Sequence, residues 1–413
     1  MNRALRVLLG AFVTVHCSDT NHTHVAEQPD RQARAFREFM QRFGKNYSGE
    51  EMKKRFAIFN ANCAFIEAEN ARGHLYKLGL TVFADLTRGE FAATYGSSSP
   101  SRVQSAQQVR GSLPYLGTFA PSNVSLPEAV DWRAEGAVTS VKNQGHCGSC
   151  WGFATTGAIE GAWKIATGQL VSLSEQQLVD CSSSFGNAGC TGGSIQPAAS
   201  YAAQAALCNE ASYPYKAADG SCSAKGCRVV IPHRGVTGWK EVNPGNERAL
   251  MEAVSQKPVG VGIDAEAGVF QLYHQGILSS ECGTKIGHAV LVIGYGSDRG
   301  QDYWLAKNSW GDTWGEAGYA RLARGQGAVG ECGITETPPV YITVDGSRVH
   351  PMDISASLIA GAVLGAILCA TCLLWLLWSR CVRPLRARSA PLLAPRPGSA
   401  APEARAPSQA QAA

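Results

Sequence analysis

The residues best suited to chemistry lie in a glycine-rich run at positions 144–154, QGHCGSCWGFA, which leads into a predicted helix. Cys150 stands where this helix begins. Unpaired amide hydrogens and the positive end of the helix dipole stabilise a thiolate at that point, which lowers the pKa of Cys150 and predicts a nucleophile. The alternative is that Cys147 and Cys150 form a metal site or a redox dithiol, as C-x-x-C pairs can. We disfavour that alternative and expect neither a metal nor a cofactor.

Two downstream residues supply what such a thiolate needs. His288 stands at the entrance of an apolar strand, 138 residues after Cys150, and Asn308 follows 20 residues later. The Asn308 side chain can accept a hydrogen bond from one imidazole nitrogen, while Trp310 shields that bond from water and so fixes the tautomer. The imidazole would hold the thiolate as an ion pair and later return a proton to the leaving group.

Gln144 completes the predicted set. Its amide, together with the backbone amide of Cys150, is suited to binding the oxyanion of a tetrahedral intermediate. The order and spacing of Gln144, Cys150, His288 and Asn308 together predict nucleophilic catalysis by the Cys150 thiolate.

The composition permits a folded core and argues against nucleic-acid binding. Of the 413 residues, 17% are charged and 45% are hydrophobic, and the formal net charge is +4. Residues 379–413 hold six arginines and one glutamate, so the rest of the chain sums to −1. No basic surface remains for a nucleic acid.

Cysteine usage indicates an oxidising compartment. Nine of the fourteen cysteines fall between Cys147 and Cys332, a density typical of proteins that keep disulfides. Because nine is odd, one thiol in this region is left over, which is consistent with a reactive cysteine.

The N-terminus predicts entry into the secretory pathway. Residues 1–17 are interpreted as a signal peptide, because two arginines precede an apolar run too short to cross a bilayer; a buried N-terminal helix is the alternative. Glycosylation sequons begin at Asn21, Asn46 and Asn123, which fits the same route.

A second apolar segment predicts membrane attachment. Residues 354–378 contain no charge, enough for one transmembrane helix. Arginines immediately after it place residues 379–413 in the cytosol as a disordered tail. The protein is therefore expected to be a single-pass membrane protein with a lumenal or extracellular catalytic domain, in a lysosome, a vacuole or at the cell surface.

The remaining chain divides into three parts. Residues 27–96 carry aromatic and aliphatic side chains at three- and four-residue steps and predict helices. Residues 97–125 are rich in Ser, Gln, Pro and Gly and predict an extended connector. Residues 126–345 place a strong helix early and β-rich runs late, which indicates an α+β body.

Residues 126–345 resemble the papain family, in its cathepsin L-like form, from LPEAVDWR at 126–133 through NSWGDTWG at 308–315. The resemblance implies a two-lobed fold with a helical lobe and a β-rich lobe flanking a cleft. It also implies that Cys150 is the nucleophile, His288 the acid and base, Asn308 its orienting residue and Gln144 the oxyanion donor. Peptides and proteins would be the substrates, hydrolysed through a thioester acyl-enzyme.

The same resemblance implies disulfides and a substrate cleft. The family-like disulfide pairs are Cys147–Cys190, Cys181–Cys222 and Cys282–Cys332, and we predict that the extra cysteines pair as Cys208–Cys227. The substrate-binding residues would be Gly192, Gly193, Ser194, Ile195, Gly262, Ala289, Trp310 and Thr337. A small, apolar pocket favours an apolar residue two before the cut, unless Glu336 turns inward.

The helical region resembles the inhibitory propeptide of this family. The residues that match its ERFNIN spacing are Glu51, Arg55, Phe59, Asn62, Ile66 and Asn70. A second propeptide motif spans residues 79–85, with Thr81 where asparagine is usual. The propeptide is then expected to act as an intramolecular inhibitor, with maturation cutting near 123–126.

Two other functions stay open at this stage. One is an inactive papain-fold binding protein at a membrane, although such proteins commonly lose the nucleophile. The other is a peptide ligase that uses the same thioester.

Overall fold

The computed structural model describes residues 28–95, 114–122, 124–279 and 282–348. Its helices, in chain order, are α1 (Gln28–Phe43), α2 (Gly49–Ala71), α3 (Arg88–Tyr95), α4 (Cys150–Thr167), α5 (Glu175–Cys181), α6 (Ile195–Gln204), α7 (Glu247–Gln256) and the short α8 (Gly268–Gln271). Its strands are β1 (Tyr76–Leu78), β2 (Tyr115–Phe119), β3 (Val130–Asp131), β4 (Leu207–Cys208), β5 (Val229–Ile231), β6 (Val236–Val242), β7 (Val259–Ile263), β8 (Tyr273–Leu278), β9 (His288–Asp298), β10 (Gln301–Lys307), β11 (Tyr319–Ala323) and β12 (Val340–Val344).

Most of the strands form one sheet late in the chain. Its order is β1-β8-β11-β10-β9-β7-β12-β6-β2, with β3 paired to β9. The central strand β9 is buried along its first nine residues, as expected for a strand covered on both faces. The sheet therefore fixes His288, the first residue of β9, against the rest of the core.

The helix α4 is the main support of the helical lobe, and thirteen of its eighteen residues are buried. It packs closely on the sheet because it carries glycine where the two meet. A Cβ at Gly157 would come within 2.7 Å of Leu291 in β9, and one at Gly161 within 2.6 Å of Pro258 before β7. Small residues at these points bring the first turn of α4, and Cys150 with it, to the beginning of β9.

The N-terminal helices form a compact unit of their own. Phe36 and Phe39 of α1 pack on Phe59 of α2 at ring-centroid distances of 5.2 and 5.1 Å. Arg55 of α2 donates to the Glu90 carboxylate of α3 at 2.9 Å. Apolar packing and this part-buried ion pair together hold α3 at the angle from which it reaches the cleft.

This helical unit is joined to the large sheet by backbone pairing and by the connector. The strand β1 pairs antiparallel with β8, and β2, in the predicted connector, pairs parallel with β6. Beyond β2, the backbone and hydroxyl of Ser122 donate to the buried Glu252 carboxylate of α7. The end of the connector is therefore anchored by a charge-assisted cap, and these bonds are stronger than neutral ones.

Several sequence predictions lie outside the described residues. These are the signal peptide at 1–17, the span at 354–378, the tail at 379–413 and the sequons at Asn21 and Asn123. Among the residues that the structure describes, none of the helices combines the length and apolar character that a bilayer crossing requires.

Candidate active site

Cys150 is the first residue of α4, and its side chain is 1% exposed. Backbone amides at the helix start and the amide of Ala289, the residue after His288, act on the thiol and lower its pKa. The structure therefore brings the thiol and the imidazole-bearing strand together across the two lobes. Among the described residues, the cysteines outside disulfides are Cys63 and Cys150.

His288 is held by Asn308 in a single tautomer. The imidazole Nε2 lies 2.8 Å from Asn308 Oδ1, and an amide oxygen can only accept, so Nε2 carries the proton. The same oxygen accepts from the backbone amide of Ser309 at 2.8 Å, which fixes the amide orientation. The other imidazole nitrogen, Nδ1, is buried and has no hydrogen-bond partner among the described residues, so it remains free to exchange a proton with the thiol.

Trp310 covers the histidine. Its ring is stacked on that of His288 with centroids 4.6 Å apart and an interplanar angle of 29°. The indole is 1% exposed, because Phe83, Phe91 and Tyr95 of the helical unit pack edge-on against it. The His288–Asn308 bond is thus shielded from water, as the sequence predicts.

Gln144 lies in the segment before Cys150, and its side-chain amide is held from two sides. Its Nε2 donates to the carbonyl of Cys147 at 2.9 Å, and its Oε1 accepts from the Ser309 hydroxyl at 2.7 Å. A primary amide has two hydrogens, so one of them is left to serve an oxyanion. The role of Ser309 as the residue that orients Gln144 was not predicted, because a serine in a loop carries no distinguishing sequence pattern.

The ionisation of this covered site differs from the sequence prediction. Burial raises the pKa of Cys150 to about 11, although hydrogen bonds from Ala289, Trp151 and its own amide lower it. Burial also lowers the pKa of His288 to about 4, against the opposing effect of the bond to Asn308. In this covered form the loss of solvent opposes the helix dipole on which the predicted lowering of the thiol pKa rests. Burial therefore favours the neutral forms of both groups while the site is covered.

This ionisation predicts how thiol alkylation depends on pH. Since a raised pKa means that the thiolate forms only as the pH rises, Cys150 in the uncut chain should alkylate with a midpoint near pH 11. After removal of the helical unit, water and the imidazolium should move the midpoint several pH units lower. The measurement is the rate of iodoacetamide labelling of Cys150 against pH, read by mass spectrometry before and after cleavage. Coincident midpoints would contradict the prediction.

The predicted specificity residues gather beside the catalytic pair. Gly262 of β7 lies opposite Ala289 of β9, and a Cβ at Gly262 would come within 2.9 Å of Thr337 Oγ1 and 2.6 Å of Ile286 Cγ2. A glycine is therefore needed there to leave space between these walls. Ile286 was not among the predicted residues, because an isolated isoleucine is indistinguishable from a core residue.

The other predicted cleft residues surround the same region. Ile195, the first residue of α6, lies 3.0 Å from where a Cβ on Gly260 would be. A Cβ at Gly193 would collide with Trp151 and Asn187, and the amide of Ser194 donates to Asn187. Gly192 precedes them in the same turn, and Glu336 is exposed.

The structure contains four disulfides with the expected pairing: Cys147–Cys190, Cys181–Cys222, Cys208–Cys227 and Cys282–Cys332. The first of them ties the turn before the nucleophile to the residues that precede Gly192 and Gly193. It therefore holds the turn of Gly192 and Gly193 beside the segment that precedes Cys150.

The helical unit binds the sheet through residues 79–86. Thr81 donates to the backbone carbonyl of Gln271 at 3.0 Å, so threonine makes a bond to the large domain at the position where asparagine is usual. The Gln271 side chain donates in return to the carbonyls of Phe83 and Leu86, both at 3.0 Å. Gln271 was missed by sequence reasoning, because nothing distinguishes it from other polar residues near a strand.

Comparison with known proteins agrees with this geometry. The model of the papain family cysteine proteases matches residues 126–342, and that of the cathepsin propeptide inhibitor domain matches residues 36–91. Ananain from Ananas comosus is 41% identical over 346 residues, which cover 82% of this chain and 95% of ananain. The solved recombinant stem bromelain precursor is 39% identical, with a TM-score of 0.66, over 76% of this chain and 99% of the precursor. A ragweed pollen cysteine protease in its proform, Amb a 11, is 36% identical over 78% and 98% of the two chains, with a TM-score of 0.67.

The chain belongs to the papain family of cysteine proteases. It is a cysteine endopeptidase made as a zymogen, with a papain-like fold and its own propeptide inhibitor domain. The sequence predictions of the family, of the enzyme class and of a papain-like fold with a propeptide are confirmed.

Proposed function

We propose that Cys150 attacks the peptide carbonyl, that His288 takes and returns the proton, and that Asn308 orients the imidazole. Gln144 and the Cys150 amide would stabilise the oxyanion. The observation that carries this proposal is the 2.8 Å bond between His288 Nε2 and Asn308 Oδ1. It leaves Nδ1 as the proton acceptor next to a sulfur at the start of a helix.

The proposed substrate has an apolar residue two positions before the cut. Gly262, Ala289, Ile195 and Thr337 supply small or apolar walls, and an unpaired charge buried among them would be costly. Gly192, Gly193 and Ser194 would bind the substrate backbone, and Trp310 would line the leaving-group side after the propeptide departs. Glu336 is exposed and is proposed to stay outside the pocket.

The test is the mature enzyme acting on a peptide series that varies only two residues before the cut. We expect kcat/KM to be at least tenfold higher for leucine, valine or phenylalanine than for lysine or aspartate. Equal rates for lysine and leucine would contradict the apolar pocket. The same assays with an added amine acceptor distinguish hydrolysis from ligation, and labelling of Cys150 by an epoxide inhibitor distinguishes an enzyme from an inactive binding protein.

We also propose domain boundaries and a cellular setting. The helical inhibitory domain is 27–96, the connector 97–125 and the catalytic domain 126–345, which the matches over 36–91 and 126–342 support.

A signal peptide at 1–17, a membrane span at 354–378 with a cytosolic tail at 379–413, and glycans at Asn21, Asn46 and Asn123 would place the enzyme in a lysosome, a vacuole or at the cell surface. Asn46 is exposed, as a glycan requires. The measurement is extraction of membranes with alkaline carbonate. The full chain should stay in the membrane pellet, whereas a chain truncated before residue 354 should appear in the supernatant.

Gln271 predicts a measurable effect on inhibition. Gln271→Leu removes two hydrogen bonds between the large domain and the propeptide, while Phe83 O keeps the amide of Leu86 and Leu86 O keeps the side chain of Asn62. Each lost bond is worth about 0.5–1.5 kcal/mol. We expect the propeptide to inhibit at least tenfold less strongly and the zymogen to mature faster at a fixed pH. The measurement is the residual activity of the uncut zymogen on a small substrate. Gln301→Leu, on the outer end of β10, is the control and should behave as wild type; a Gln271→Leu zymogen as silent as the control would contradict the proposed role.

A further inference from the structure

A small cavity lies next to the catalytic asparagine. It has a volume of about 20 Å³ and lies between α4, the beginning of β9 and the residues that follow β10. Asn308 and Ala154 contribute to its wall, as do four charged side chains: Lys142, Glu160, Glu175 and Lys307. A cavity needs roughly 10 to 15 Å³ by this measure to hold one water molecule, and a stable buried water needs polar partners.

The two buried carboxylates of this cavity differ in their hydrogen bonding. Glu160 uses both oxygens: Oε1 accepts from the amide of Leu173 at 2.8 Å and Oε2 from the Thr139 hydroxyl at 2.7 Å. Glu175 uses one: Oε1 accepts from Lys142 and from the Thr156 hydroxyl, both at 2.6 Å. Its Oε2 is buried and has no partner among the described residues. One acceptor of the network is therefore left for another donor.

Asn308 presents the complementary group. Its Oδ1 is occupied by His288 and Ser309, whereas its Nδ2, which has two hydrogens to donate, is buried without a partner in the described part of the chain. Unsatisfied buried polar atoms are rare in native proteins and call for an explanation such as an ordered water. Asn308 and Glu175 both line this water-sized cavity, and one shared water would supply the missing partner of both atoms.

We propose that an ordered water in this cavity bridges Asn308 Nδ2 to Glu175 Oε2 and makes Glu175 a positioning residue for the catalytic histidine. The inference rests on the proposed role of Asn308. The bridge holds the Asn308 amide with its oxygen toward His288 Nε2, since the flipped amide would present hydrogens to an N–H group. Glu175 touches neither substrate nor thiol and acts through the water and the asparagine.

The charges around Glu175 set its ability to accept. The titratable groups that interact with it electrostatically are Lys142, Glu160, Glu210, Tyr215 and Lys307. Burial raises the pKa of Glu175 to about 7, against the lowering effect of Lys142. Because a raised carboxyl pKa means that the carboxylate takes up its proton more readily, the acceptor is lost and the bridge should weaken as the pH falls.

Two variants separate the water from the charge. Glu175→Gln removes the charge and replaces one carboxylate oxygen with an NH₂ group. Ala154→Val fills the cavity without changing any charge. Each should lower kcat of the mature enzyme by roughly two- to tenfold, the worth of one hydrogen bond, and leave KM unchanged. The matched control is Glu160→Gln, which removes a charge from the same network; it should lower the melting temperature and keep kcat within twofold.

A high-resolution crystal structure of the wild-type enzyme decides the point even if a variant fails to fold. We expect a water within hydrogen-bond distance of both Asn308 Nδ2 and Glu175 Oε2, and its absence would overturn the proposal. Folded Glu175→Gln with unchanged kcat and pH profile would also overturn it. If instead Asn308→Ala retained full activity while the water was present, the proposed role of Asn308 would fail and the position of the water would stand.

Discussion

Cys150→Ala is expected to abolish peptide hydrolysis, lowering kcat by a factor of at least about 10⁴. The sulfur lies at the start of α4 beside the strand that begins with His288, and alanine removes the only atom of this side chain that can form the thioester. Activity of purified protein on a small peptide substrate measures the effect. The fold should persist, because a buried thiol behaves as a small apolar group and alanine loses little packing there.

Cys63 supplies the matched control for this experiment. It is the other described cysteine outside the disulfides, and it is buried in α2, remote in sequence from the cleft. Cys63→Ala should mature and hydrolyse peptides as wild type does, and should still be labelled by an epoxide inhibitor. Substantial hydrolysis by Cys150→Ala, or labelling of that variant within the catalytic domain, would refute the assignment of the nucleophile.

Phe83→Ala is expected to relieve the autoinhibition by a factor of about 100 or more. The Phe83 side chain is 2% exposed and packs on Phe91, Tyr95 and Trp310, with a ring-centroid distance of 5.3 Å to the indole. Truncating a buried phenylalanine to alanine costs about 3–5 kcal/mol, and every 1.4 kcal/mol is a tenfold change in binding. The loss falls on the contact between the propeptide and the residue that shields the catalytic histidine. The residual activity of uncut zymogen on a small substrate is the measurement.

Leu75→Ala provides the comparison for Phe83→Ala. Leu75 lies in the same helical unit but is 48% exposed, so its truncation should leave inhibition unchanged. The mature forms of wild type and Phe83→Ala should have equal kcat and KM, because the substitution is removed with the propeptide. A Phe83→Ala zymogen that is silent until cut would show that the aromatic contact does not hold the inhibitor in place.

The structure also explains why inhibition and ionisation are coupled. The three propeptide aromatics bury Trp310, and the buried histidine and cysteine favour their neutral forms. The propeptide therefore does more than obstruct the cleft, since a covered site also loses the solvent that a thiolate–imidazolium pair requires. We expect removal of the propeptide to restore both access to the cleft and the charged forms of Cys150 and His288.

The sequence by itself determined the identity of the parts. Cys150, His288, Asn308 and Gln144 were recognisable because each stands in a local pattern that chemistry constrains: a helix start, a strand entrance and a glycine-rich turn. The ERFNIN spacing identified the propeptide for a similar reason, since Arg55 and Asn62 recur at helical intervals and bind α3 and the turn before it. Such patterns involve residues that are close together in the sequence, so the sequence alone reveals them.

Only the tertiary structure decided the contacts between distant segments. Gln271, Ile286 and Glu175 carry no local pattern, and they acquire a role through neighbours up to 190 residues away, such as the bond from Thr81 to Gln271. The thiol pKa depends on both kinds of information: the helix dipole is visible in the sequence, whereas burial depends on what packs above it. The burial of a group depends on all the segments that pack around it. Those segments are distant in the sequence, so no short run of residues predicts it.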